Sequence, residues 1–280
     1  MKISVITVCL NAAHTIGYTI ESFLEQKHAD KELVVVDGGS RDGTVESVRS
    51  FGDSSITLVS GPDEGTYDAA NKGLALYSGD AVGLLNADDR FANDQALGQI
   101  ADGLTSADIV FGNLDFVVDH KASQVARRWR GSPFNKGAFR RGWMPAHPTF
   151  YVRRKVIEAM GGFDPRYRIA SDYDFMLRTL ELSDFRTQFI DRVLIHMMHG
   201  GASTSGLKSL VQHNYEALRS RQVWLESGFV DYSLIAKPLR KVTQLEMPFR
   251  RQWQSRATRS AKARQAWADK ANTPASLDDR

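Results

Sequence analysis

Six short stretches of this 280-residue chain carry side chains able to do chemistry together. The apolar run Val82-Gly83-Leu84-Leu85 ends in Asn86-Ala87-Asp88-Asp89, so a strand-like segment delivers two adjacent carboxylates. Neighbouring carboxylates repel unless a cation or water screens them. A hard divalent ion suits such a pair, with one or two carboxylates from protein and a diphosphate supplying further oxygens. The bland alternative makes Asp88 or Asp89 the cap of a following helix. Asp37 likewise closes an apolar run and precedes Gly38-Gly39-Ser40, small residues that let a flat base approach the backbone while the carboxylate accepts from base N–H or ribose hydroxyls. Its alternative is a strand-to-helix turn capped by Asp42 or Thr44.

Asp63-Glu64-Gly65-Thr66-Tyr67-Asp68-Ala69-Ala70-Asn71-Lys72-Gly73 packs a turn and a helix start with polar groups. Capping accounts for Asp63, and the helix dipole favours Asp68. Ser171-Asp172-Tyr173-Asp174 opens an apolar-periodic helix, where an acid is either a cap or a general base toward a sugar hydroxyl. Asp174 is the weaker candidate for that base. His147-Pro148-Thr149 and His196-Met197-Met198-His199-Gly200-Gly201 hold the notable histidines, either structural or, for His199, placed to touch a diphosphate. No histidine pair has zinc-site spacing, and no Walker lysine loop or dinucleotide fingerprint occurs.

The elements that position these groups alternate short apolar runs with helical stretches, the pattern of a mostly parallel sheet flanked by helices. Strands are expected at 3–9, 32–36, 56–59, 81–85, 108–111 and 185–195, and helices at about 14–26, from 42–44, 67–77, from 94, 172–182 and 207–227. Residues 119–146, with five arginines, two lysines and two tryptophans among turn formers, read as a β-ribbon or long loop. Ligands of open α/β sheets bind at the carboxyl ends of the strands, which is where Thr7, Asn11, Asp37 and Asn86 to Asp89 fall.

The net charge of +3 conceals an asymmetry: Lys237 to Arg280 holds eleven Lys/Arg against four Asp/Glu, which leaves the body at −4. A basic tail on an acidic body argues against a nucleic-acid-binding core and for contact with an anionic surface. Trp253 and Trp267 among the tail's arginines fit a membrane interface, with a solvated helix or protein contact as the alternative. No apolar stretch reaches bilayer-spanning length, and the N-terminus does not read as a signal peptide. The single cysteine, Cys9, excludes an intrachain disulfide and reads as core filler. A cytoplasmic protein, peripheral at the inner face of the membrane, is expected.

Taken together, Ile6-Thr7-Val8, Asn11, Val35 to Thr44, Asp68 to Gly73, Leu85 to Asp89 and Ser171 to Asp174 resemble the glycosyltransferase family 2 pattern over residues 1 to 205. The similarity is to bacterial members of the exopolysaccharide, O-antigen and colanic-acid type. It implies a GT-A fold, an inverting mechanism, a nucleoside-diphosphate-sugar donor, Mn²⁺ or Mg²⁺, and a glycan or lipid-linked glycan acceptor. By that resemblance Thr7, Asn11, Asp37, Ser40, Asp68, Asn86, Ala87 and His199 bind the nucleotide sugar. Asp88, with His199, holds the metal, and Asp172 is the catalytic base. Ser171 stands where the family has Glu, and Asn86 where it has the first acid of Asp-x-Asp. His199 to Ser203 resembles the family's closing loop. The implied organisation is a GT-A domain at 1–205 (donor half 1–115, acceptor half 116–205), a helix and linker at 206–250, and a basic tail at 251–280. A nucleotide-binding protein with a dead transferase site and a nucleotidyltransferase are the competing readings.

Overall fold

The computed structural model describes residues 1–119, 124–199 and 207–225. Strands β1 (Ile3–Cys9), β2 (Lys31–Asp37), β3 (Ile56–Ser60) and β4 (Ala81–Leu84) run parallel, with helices α1 (Ile16–Leu24), α2 (Thr44–Ser50) and α3 (Thr66–Leu76) in the connections. Two-residue β5 (Arg90–Phe91), α4 (Ala96–Ser106), β6 (Ile109–Val117) and β7 (Val125–Trp129) follow. After 3-10 turns at Phe139–Arg141 and His147–Thr149 come β8 (Tyr151–Arg153), α5 (Arg154–Met160), α6 (Ser171–Glu181), β9 (Thr187–Met198) and α7 (Leu207–Leu225).

Among the described residues one sheet takes all nine strands in the order β3-β2-β1-β4-β8-β6-β9-β5, with β7 paired to β6. The chain builds outward from β1 to β3, then returns to lay β4 on the other side of β1. That reversal opens a crevice at the carboxyl ends of β1 and β4, the place where such sheets bind ligands. Beyond β4, the antiparallel β8 separates it from the parallel pair β6 and β9.

Alternation along the strands builds two cores. Ile3, Val5, Leu33 and Val35 pack with Ile16, Ile20 and Phe23 of α1 and Leu97, Ile100 and Leu104 of α4. Ile6, Val34, Val36 and Val82 face the opposite way, onto Ala69 and Ala70 of α3 and Tyr173, Met176 and Leu177 of α6. The close seating of α3 needs Gly73, since a Cβ there would lie 2.5 Å from Ile6 Cγ2. No helix among the described residues is long and apolar enough to cross a membrane.

The α/β architecture is the expected one, and most elements lie within two residues of their expected ends. Three features differ. The described part of the 119–146 stretch, 124–146, is neither a full ribbon nor a bare loop, since β7 pairs with β6 and irregular chain and a 3-10 turn follow. Strand β8 and helix α5 were not expected, because Tyr151-Val152-Arg153 is too short for a periodicity signal. Strand β6 runs across the expected boundary between halves at 115/116, and α7 buries Ala217, Ser220 and Arg221 although it lies past residue 205. The basic tail and most of the expected linker lie outside the described residues.

Candidate active site

Two loops at the carboxyl ends of β1 and β2 are locked together by backbone donors. Asn11, in the left-handed region at φ 52°, donates its N–H to Ser40 Oγ (2.7 Å) and accepts from Arg41 N at Oδ1 (3.1 Å). Asp42 takes Ala13 N (3.0 Å), and Thr44 Oγ1 takes Ala12 N (2.8 Å). Asp42 and Thr44 therefore bind the first loop as well as opening α2.

Asp37 is fully buried and organises its own turn. Its Oδ2 accepts from Gly39 N (3.1 Å), Ser40 N (3.0 Å) and Ser60 Oγ (2.7 Å), and Oδ1 accepts from the Ser40 hydroxyl. Burial opposes ionisation, but the Ser40, Ser60 and backbone donors outweigh it and hold the carboxyl below its usual range. Asp63 closes over this turn: a Cβ on Gly38 would sit 2.3 Å from Asp63 Oδ2, so only glycine admits that carboxylate. Beneath, burial and then the Asp37 charge push the Cys9 thiol up to about 12, the inert state of a core cysteine. Thr7 is buried with its hydroxyl unpartnered.

The Asn86 to Asp89 turn divides its two acids. Asp89 is buried, accepting from Asn86 Nδ2 (2.8 Å) and Met198 N (3.2 Å), while its carbonyl receives Thr19 Oγ1 (2.7 Å). Burial first, and then the Asp88 charge, push the Asp89 carboxyl well above the usual range. Asp88 stays half-buried. Neither acid caps a helix, because the chain enters β5 directly and α4 begins only at Ala96. The Met198–Asp89 bond also brings the end of β9 to this turn, and His199 follows Met198 with its N–H on Val117 O (2.9 Å). Asp88 and His199 thus belong to adjoining chain segments. The expected closing-loop residues 200–203 lie outside the described residues.

Helix α3 connects the donor-side loops to α6. Asp68 accepts Lys72 Nζ (2.8 Å) and Glu64 N (3.0 Å), and Lys72 also donates to Pro62 O (2.9 Å), tying down the turn that carries Asp63. Lys72, and then Glu64 N–H, hold the Asp68 carboxyl below its usual range. Asn71 clamps the Gly162-Phe163 turn through Nδ2 to Phe163 O (2.8 Å) and Phe163 N to Oδ1 (2.9 Å).

The two acids of α6 have separate fates. Asp174 is buried and saturated by Ser220 Oγ, Trp224 Nε1 and Arg178 Nε, each at 2.8 Å, which removes it as a base candidate. Asp172 makes no capping bond. The backbone ahead of α6 is satisfied instead by Glu216 of α7, which takes Ile169 N and Ala170 N at 2.9 Å each. Asp172 Oδ1 lies 3.0 Å from Tyr67 OH, and Oδ2 lies 3.8 Å from His147 Nδ1. Asp172 lines a small apolar pocket with Leu84, Phe163 and Met176. Leu84 ends β4 just before Asn86, which places Asp172 at the same sheet edge as the Asp88 turn, while Asp37 and Asp88 do not line that pocket.

Sequence reasoning passed over Tyr67 and treated His147 as an isolated histidine. Spacing could not reveal that α3 and the 147–149 turn meet α6 across some 100 and 25 positions. The Tyr67-Asp68-Ala69-Ala70-Asn71 run was a usable signal, because three of its polar groups sit on one helix turn.

The profile described as glycosyl transferase family 2 matches residues 4–201. A PGL/p-HBAD biosynthesis glycosyltransferase of Mycobacterium bovis is 28% identical over 198 residues, covering 68% of this chain and 74% of the relative. An uncharacterised glycosyltransferase of Mycobacterium tuberculosis is 31% identical over 179 residues, covering 63% and 68%. Among solved structures, residues 1–349 of Staphylococcus aureus TarS in complex with UDP-GlcNAc superpose with a TM-score of 0.64 at 19% identity, over 83% of this chain and 69% of that one. The Pyrobaculum calidifontis mannosyltransferase PcManGT, in complex with GDP-Man and Mn²⁺, gives 0.58 at 21% identity, over 78% and 64%. With the fold shared and a family profile spanning most of its length, the chain belongs to glycosyl transferase family 2.

Proposed function

We propose that this chain transfers a sugar from a nucleoside-diphosphate-sugar to an acceptor hydroxyl, with inversion at the anomeric carbon. The observation that carries this reading is Asp172: an acid on the first turn of α6 that its helix does not use as a cap, with its carboxylate against the Tyr67 hydroxyl of the helix that follows β3. Inverting transfer requires one such carboxylate and no enzyme nucleophile. Asp172 takes the proton from the acceptor hydroxyl as its oxygen attacks the anomeric carbon, and the bond to the diphosphate breaks with its electron pair leaving on phosphate oxygen.

Thr7, Asn11, Asp37 and Ser40 form the nucleoside side of the site, with Asp37 acting chiefly by shaping the Gly38-Gly39-Ser40 turn and Asp68 by fixing the Asp63 turn beside it. Asn86 and Ala87 set the approach to the diphosphate. The donor set fits Mn²⁺ or Mg²⁺: Asp88 supplies a hard oxygen and His199 an imidazole nitrogen, on segments joined by the Met198–Asp89 bond. No cluster of three or more His, Cys, Asp or Glu side chains occurs among the described residues, as suits an ion completed by substrate phosphates. Bound there, the ion offsets the charge developing on the departing diphosphate. The M. bovis relative is named for PGL/p-HBAD biosynthesis, and an acceptor held in a lipid surface would give the basic 237–280 segment a partner.

The test uses the full chain with UDP-, GDP- and dTDP-sugars, Mn²⁺, Mg²⁺ or EDTA, reading thermal shift and nucleotide release. The expected result is metal-dependent stabilisation by one donor class, with the freed sugar or product of opposite anomeric configuration. Release with retained configuration, or equal turnover by Asp172→Asn, overturns the reading.

A further inference from the structure

We infer that Tyr67 and His147 are positioning residues that hold the Asp172 carboxylate from its two oxygens, Tyr67 exchanging its hydrogen-bond acceptor as Asp172 gains and loses a proton. This rests on the base assignment above and extends it. The single phenolic proton of Tyr67 faces two acceptors, Ile169 O at 2.8 Å and Asp172 Oδ1 at 3.0 Å. It can satisfy only one fully. With Asp172 ionised, the charged acceptor is the stronger and draws the proton. Once Asp172 has taken the acceptor's proton, its own O–H donates to the phenol oxygen, and Tyr67 turns its proton to Ile169 O. Each state keeps its hydrogen bonds satisfied without moving a heavy atom.

The geometry favours this use. Tyr67 is fixed by stacking on Phe163, ring centroids 5.7 Å apart, and Phe163 is itself clamped by Asn71. Burial, and then the charge of Asp172, keep the phenol far above its ordinary ionisation range, so it acts only as a neutral donor and acceptor. His147 stands at the other oxygen, with Nδ1 3.8 Å from Oδ2 and Nε2 buried and unpartnered. Its turn is pinned to β6 by Thr149, whose Oγ1 accepts Gly112 N (3.1 Å). Glu216, from α7, also acts on the Tyr67 phenol.

The test places 3-fluorotyrosine at position 67 of the full chain and follows its fluorine resonance with pH. A single protonation step is expected that vanishes in Asp172→Asn and survives in Glu216→Gln. His147→Leu should alter that step, and His147→Asn, whose amide nitrogen stands near the place of Nδ1, should restore it. A resonance with no step, a step that persists in Asp172→Asn, or one indifferent to His147→Leu overturns the inference. Should Asp172→Asn turn over normally while the step vanishes as expected, the base assignment fails and the clamp stands.

Discussion

Two aspartates on one turn of α6 should respond to the same conservative change in opposite ways. Asp174→Asn strikes a buried carboxylate with three donors at 2.8 Å. The amide oxygen can still accept Ser220 and Trp224, but the amide nitrogen cannot accept from Arg178, which is 8% exposed. Arg178 keeps Gly162 O (2.7 Å) and the Met160 carbonyl, so it loses its counter-charge and not every partner. Breaking a buried pair by removing one partner costs about 3–5 kcal/mol, and the surviving bonds favour the lower end, about 3 kcal/mol. For a domain of this size that is a fall in Tm of about 6–12 °C.

Asp172→Asn leaves an amide oxygen for the Tyr67 phenol and breaks no buried ion pair, so its stability cost should stay below about 1 kcal/mol. Its turnover should fall by about 10²–10⁴-fold, the usual worth of a general base. Thermal unfolding by circular dichroism at pH 7, paired with nucleotide release, reads both. Equal Tm losses for the two variants, or a larger loss for Asp172→Asn, would refute the division of roles between structure and chemistry along this helix.

Asp88→Ala should abolish the metal-dependent part of donor stabilisation, and thermal shift with nucleotide sugar and Mn²⁺ checks it; an unchanged metal response removes Asp88 from the ion. Gly38→Ala would put a Cβ 2.3 Å from Asp63 Oδ2 and displace a flexible carboxylate rather than backbone, so donor affinity should weaken while Tm shifts by only a degree or two, as titration calorimetry against unfolding would show. Gly83→Ala meets the buried Tyr151 ring at 2.5 Å and should instead cost about 1–3 kcal/mol of stability with donor affinity per folded molecule intact. Glu32 gives a pH prediction: burial opposes its ionisation, but Lys2, Ser4 and Ser78 bring the carboxyl down to about 2. A depressed carboxyl stabilises the fold above its unfolded value near 4.5 and loses that contribution as pH falls toward about 2. Glu32→Gln should therefore be the less stable protein at pH 7, with the difference closing across that window in urea titrations.

What could be read in the sequence follows from how local each cause is. Ile3 to Cys9 and Leu33 to Val36 are buried on both faces, so an apolar run announces them, whereas strands alternating with helices do not reveal that β4 switches to the far side of β1. Strand β8 left no such mark, because three residues held between β4 and β6 owe their conformation to those neighbours and not to their own pattern. The carboxylates were legible as strand-end and helix-start acids, but their division of labour was not. Asp88 and Asp89 are identical in type and adjacent in sequence. Only the arrival of Met198 N from β9, and the closing of Thr19 over the turn, decides which is buried and which is left half-open.

The same contrast between Asp172 and Asp174 bears on what the proposed base needs from its surroundings. A helix start wants anions, so an acid there is normally absorbed by its own backbone. Here α7 meets that need from outside: Glu216 satisfies the amides ahead of α6, while Ser220 and Trp224 saturate Asp174. With both local demands met by a distant helix, Asp172 keeps one oxygen on the Tyr67 phenol and the other 3.8 Å from the His147 imidazole. The dependence is testable. Glu216→Ala leaves the Ile169 and Ala170 amides without their acceptor, and Asp172, two positions after Ala170, is an acid able to turn back toward them. Transfer should then fall together with loss of the Tyr67–Asp172 hydrogen bond in a crystal structure of the variant, with Asp174 still bound to Ser220. A Glu216→Ala enzyme with full turnover and an unmoved Asp172 would mean that α7 only buttresses the fold.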